Sequence, residues 1–156
     1  MCRALERKRQ VCFAEGEIPM KWPLILQLSL FALAMGVATV FVIPSNIEPM
    51  LWLPIFLICA YLIAKNCTTG HFVHGLLLGL VNSVWITGAH VLFFNAYIAS
   101  HAKEAQMMSA SPMAPRLMML VVGPVVGLFS GLVIGLFAFI AGKLVKPSAP
   151  ALPSQT

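Results

Sequence analysis

Apolar positions fill this chain in four long runs, separated by brief polar stretches. The first run extends from Trp22 to Ile43 and is ended by Pro44. At 1.5 Å per residue it measures about 33 Å, enough to cross a hydrocarbon core of about 30 Å. It exceeds the apolar segment of a signal peptide and no small-x-small cleavage pattern follows it, so the reading is a retained span. The second run occupies 49–65, with Pro49 at a first helical position, where a missing N–H costs nothing, and Pro54 one turn further in. The third occupies 71–99, longer than a bilayer demands, and is predicted to tilt or project at its far end. The fourth occupies 117–144. Pro124 inside it cannot donate to the Leu120 carbonyl, which predicts a kink absorbed by Gly123 and a neighbouring helix.

The pattern predicts an all-α fold, an integral membrane four-helix bundle forming one membrane domain over residues 22–145. A basic leader precedes it at 1–21. A tail rich in proline, serine and alanine follows at 146–156 and is predicted to be disordered. Two tight turns, 45–48 and 66–70, and one long segment, Ser100 to Arg116, join the spans.

Small residues recur at every fourth position of the last two runs. Gly75, Gly79, Ser83 and Thr87 form one row, and Gly123, Gly127, Gly131 and Gly135 the other. In water each such glycine would weaken a helix by about 1 kcal/mol relative to alanine. In lipid, small residues let helix backbones approach closely. The two spans run antiparallel, so Thr87 is expected near Gly123 and Gly75 near Gly135. The alternative use of the same rows is a homo-oligomer interface or pore lining. A weaker row in the first span, Ser29, Ala32, Gly36 and Thr39, marks it as a third member of the bundle.

Composition sharpens the class. Sixty per cent of the 156 residues are hydrophobic, 10% are charged and mean hydropathy is +0.91. Soluble domains carry about 25% charged residues. The length left outside the runs excludes a separate soluble catalytic domain. The net charge of +5 sits at span ends, and no basic stripe carries interleaved aromatics, so nucleic acid is not an expected partner; the lipid bilayer is. Arg3, Arg7, Lys8, Arg9, Lys21, Lys65, Lys143 and Lys146 fall on one side, and only Lys103 and Arg116 on the other. This bias predicts both termini in the cytoplasm. The four cysteines, Cys2, Cys12, Cys59 and Cys67, contain no C-x-x-C pair and support neither a disulfide framework nor a zinc site.

No Asp, Glu, Lys or Arg lies in the interior of a predicted span; Lys65 and Lys143 stand at span ends. Ion-coupled transporters usually keep such a group as the coupling residue. In size the chain is similar to the small multidrug resistance transporters, but it lacks the first-span glutamate on which their function depends.

Milder polar residues remain. Ser83, Thr87, His90, Phe94, Tyr97 and His101 share a narrow helical sector, with Asn82 about 80° away. Asn82, His90, Tyr97 and His101 form the candidate polar site. His90 is expected to be neutral and hydrogen-bonded to a carbonyl or hydroxyl of a neighbouring helix. The functional alternative is a ligand or headgroup site opening outward. His71 and His74 are expected to meet headgroups or water. Every intramembrane histidine lies on the third span, so a haem bridged within one chain is not expected, and no cofactor is predicted. Met107, Met108 and Met113 with His101 offer soft ligands for Cu(I). Their spacing matches no ligand motif, and the preferred reading is an apolar interfacial segment with no metal.

Phe72, Gly75, Gly79, His90 and Tyr97, followed by the glycine-rich last span, resemble the corresponding half of small four-span bacterial membrane proteins known as domains of unknown function. That resemblance implies a bacterial inner membrane location and carries over no catalytic residue. No nucleophile–base set is recognisable, so an enzyme is not expected. The expected function is that of a membrane protein acting through helix packing or binding of a partner, a second copy or another membrane protein. The alternative is a small transporter or channel subunit that oligomerises through the glycine-rich face.

Overall fold

The structure is a computed structural model that describes residues 20–146. The leader before Met20 and the tail after Lys146 lie outside the described residues, with Arg3, Arg7, Lys8, Arg9, Cys2 and Cys12 among them. The described chain forms helices α1 (Trp22–Phe41), α2 (Glu48–Asn66), α3 (His71–Leu92), α4 (Phe94–Ser100), α5 (Ala102–Ser109) and α6 (Pro115–Leu144). Four of them, α1, α2, α3 and α6, are long and apolar enough to cross a membrane.

Local chemistry sets the ends. Proline stands in the first two positions of α1, α2 and α6, where no intrahelical N–H partner is needed. Between α2 and α3 the chain reverses through Gly70, whose φ of 68° lies in the left-handed region open to glycine. Pro54 and Pro124 sit inside helices that remain continuous across them. The third predicted span needs correction. It does not run unbroken to residue 99, because Phe93 leaves the helix with φ −101° and ψ 33° and α4 begins anew. The surplus length is taken up by this break.

The packing order is not the chain order. α3 makes its broadest contact with α6 and its next with α1, while α2 rests on α6; contacts of α2 with α1 and α3 are slight. The helices therefore stand in the order α1–α3–α6–α2. A core of Ile25, Leu28, Cys59, Ala60, Ile63, Leu78, Ile134 and Ala138 gathers all four at the end that carries Lys21.

The α3–α6 contact is made backbone to backbone. A Cβ added to Gly75 would stand 2.6 Å from the Gly135 Cα, and one on Gly131 would stand 2.6 Å from the Leu76 carbonyl oxygen. Gly79 faces Gly131 still more closely, Gly127 faces Ser83, and Gly123 faces Thr87. α1 docks on the other side of α3, where a Cβ on Gly36 would lie 3.2 Å from the Ile86 Cα. Ser29, Ala32 and Thr39 of α1 are buried with it.

Candidate functional site: a cavity between the second, third and last long helices

The two halves of α2 differ in what they turn inward. Its C-terminal half buries Cys59, Ala60, Ile63 and Ala64 against the core. Its N-terminal half presents Trp52 and Phe56, tilted at 42° to each other with centroids 5.6 Å apart, and leaves Met50, Leu53 and Leu57 exposed. Opposite these rings, α3 and α6 contribute the small residues Gly79, Ser83, Thr87, Gly123 and Gly127 together with larger ones. Between the rings and this helix pair lies a cavity of about 610 Å³. Tyr97 of α4 and Glu104, Met107 and Met108 of α5 close its far end, and α6 adds Met118, Met119, Val122, Val126 and Ser130.

The wall is mostly apolar, and its polar groups are few. Glu48 accepts from Trp52 Nε1 at 3.1 Å. Asn82 is 4% exposed, and its Oδ1 has no hydrogen-bond partner. Glu104 Oε2 is buried and likewise unpartnered. A buried polar atom without a partner carries a desolvation cost that a bound group can relieve.

His90 also lines the cavity, and its partner is on α1. The Thr39 hydroxyl donates to the Gly36 carbonyl at 3.0 Å, so its oxygen accepts from His90 Nε2 at 3.0 Å. The His90 ring stacks on Tyr97 at 4.2 Å, and Tyr97 stacks on His101 at 4.3 Å. His101 is buried behind this stack. Its Nδ1 donates to the Tyr97 carbonyl at 3.0 Å, which leaves Nε2 as a buried acceptor without a partner.

Of the four candidate polar residues, the structure thus brings Asn82, His90 and Tyr97 to the cavity wall and sets His101 one ring behind it. The methionine set is only partly gathered. Met107 and Met108 line the cavity, whereas Met113 is exposed and outside its lining. No group of three His, Cys, Asp or Glu side chains able to hold a metal exists among the described residues.

Glu48 and Glu104 are functional candidates that the sequence reading passed over. Each lies just beyond a predicted span and was absorbed into a turn or the outer segment. The available signal was their scarcity: they are the sole carboxylate residues between positions 20 and 146.

At the opposite end, His74 is fully buried and does not meet headgroups. The Lys21 backbone N–H donates to its Nε2 at 3.1 Å, and its Nδ1 donates to the Gly70 carbonyl at 2.8 Å. Lys21 Nζ reaches the Asn66 carbonyl. Burial pushes the nearby Cys67 thiol up, an effect the Lys21 ammonium partly offsets. His71, half-buried, bonds the Cys67 carbonyl at 3.0 Å. This end is a fastening of turns. Comparison with protein-family models, curated proteins and solved structures gave no match.

Proposed function

We propose that this protein is a non-enzymatic integral membrane protein that works by binding, with the cavity between α2, α3 and α6 holding a small guest. The observation that carries this reading is Asn82: a nearly fully buried amide lining a largely apolar cavity, with its oxygen unpartnered. The cavity volume of about 610 Å³ suits a small organic molecule, whose sites run about 300–1,000 Å³ with a few placed polar groups. The helix-packing role belongs to the scaffold. The glycine rows face each other within one chain, so the channel-subunit alternative loses the free face it requires.

Lys21, Lys65, Lys143 and Lys146 lie at one end and Lys103 and Arg116 at the other, in keeping with both termini on the cytoplasmic side. The capped end of the cavity then faces outward. The resemblance of the second half to small bacterial proteins supports an inner-membrane setting.

Binding is tested with the full chain in nanodiscs, using energy transfer to the neutral dye 1-aminoanthracene. Trp22→Phe and Trp85→Phe leave Trp52, on the cavity wall, as the sole donor. Saturable transfer is expected, weakened about tenfold or more by Ser130→Phe, which adds a ring to the wall. Transfer that rises without saturation and ignores Ser130→Phe would overturn the reading.

A further inference from the structure

We infer that the guest is an organic monocation with an apolar body, of the amine or quaternary onium class. The inference rests on the binding reading above and names its ligand chemistry. Both carboxylate residues between positions 20 and 146, Glu48 on α2 and Glu104 on α5, line this one cavity, and no lysine or arginine does. The two cationic residues of that end are placed elsewhere: Arg116 stands over the Phe94 ring at 5.3 Å, and Lys103 is absent from the wall.

Among the lining residues, the buried side-chain atoms without a partner are Asn82 Oδ1 and Glu104 Oε2, both acceptors, so the group each lacks is a donor or a positive charge. Trp52 and Phe56 add aromatic rings, whose quadrupoles attract a cation. In surroundings drier than water, an anion would meet two negative groups at heightened repulsion, and a neutral guest would leave the carboxylates uncompensated. A bare metal ion does not fit the space or the wall. Calcium and magnesium need about six oxygen ligands, and most of this lining is carbon and thioether. What matches is a delocalised or alkylated cation whose bulk lies along the glycine wall and whose charge lies towards Glu48 and Glu104.

The test uses two ions of one shape and opposite charge, tetraphenylphosphonium and tetraphenylborate. Equilibrium dialysis is run on the full chain in dodecyl maltoside micelles, whose headgroups carry no ammonium, with empty micelles as background. The expected result is saturable phosphonium binding by the wild type and no borate binding above background. E48Q, E104Q and the double variant are expected to weaken phosphonium at least tenfold in the double case, with the wild-type helical circular dichroism retained. Borate bound as tightly as phosphonium by the wild type would overturn the inference, whatever the variants do. Retained dye binding with phosphonium indifferent to both glutamates would overturn it too, and would leave the binding reading standing. Loss of dye saturation in the wild type would remove the binding reading itself. Repeating the titration with phosphatidylethanolamine in the micelles separates the sources. Competition assigns the ammonium group to a lipid, and its absence to a free cation.

Discussion

The Thr39 hydroxyl donates to one carbonyl on its own helix and accepts from His90 on another, so a single side chain ties α3 to α1. Side-chain hydrogen bonds between membrane helices average about 0.6 kcal/mol and reach about 1.7. Thr39→Val, which keeps the shape and removes the oxygen, is expected to destabilise the fold within that range in detergent unfolding titrations, and Thr39→Ser to leave it near wild type. Part of this was legible in the sequence, since an imidazole inside a bilayer needs a partner and a neighbouring hydroxyl is a natural one. Which hydroxyl was not legible, because Thr39 lies 51 positions away. His74 was misread for an instructive reason. Its place at a helix start suggested water, but the start of α1 also has backbone N–H groups without intrahelical acceptors. His74 serves one of them, at Lys21, and is buried in doing so.

Between elements, the meaning of a glycine depends on what its missing side chain would strike. A methyl group on Gly79 would meet the backbone of Gly131, which cannot move aside as a side-chain tip can, whereas one on Gly88 would meet nothing within 4 Å. Gly79→Ala is expected to destabilise the protein by at least about 1–3 kcal/mol, the range for overpacking. Gly88→Ala is expected to be neutral or to stabilise by up to about 1 kcal/mol through helix propensity. The same unfolding titration reads both. The four-residue spacing identified the facing rows because it is a property of a single helix. The break at Phe93 left no such trace, since neither glycine nor proline marks it. It accompanies the placing of Tyr97 between two imidazoles, a tertiary arrangement.

At the scale of the molecule, one end is knitted and the other is open. Deuterium exchange in nanodiscs, followed by peptide mass spectrometry, should show residues 48–54 of α2 exchanging about tenfold or more faster than residues 58–66, because the fully buried core residues of α2, Cys59, Ala60 and Ile63, all lie in the latter half. Equal protection along α2 would contradict the open arrangement. The order α1–α3–α6–α2 was hidden in the sequence because all four long helices are apolar, and nothing in an apolar surface names its neighbour. The central position of α6 has a consequence for biosynthesis. Of the four long helices a ribosome makes this one after the other three, yet it is the surface on which both the second and the third come to rest. Until it is inserted, the nascent protein holds a side-chain-poor strip with no mate, and the insertion machinery must keep three unfinished rods from settling on something else. Assembly of the four thus waits on its latest-made member, which slots between two partners already in the lipid.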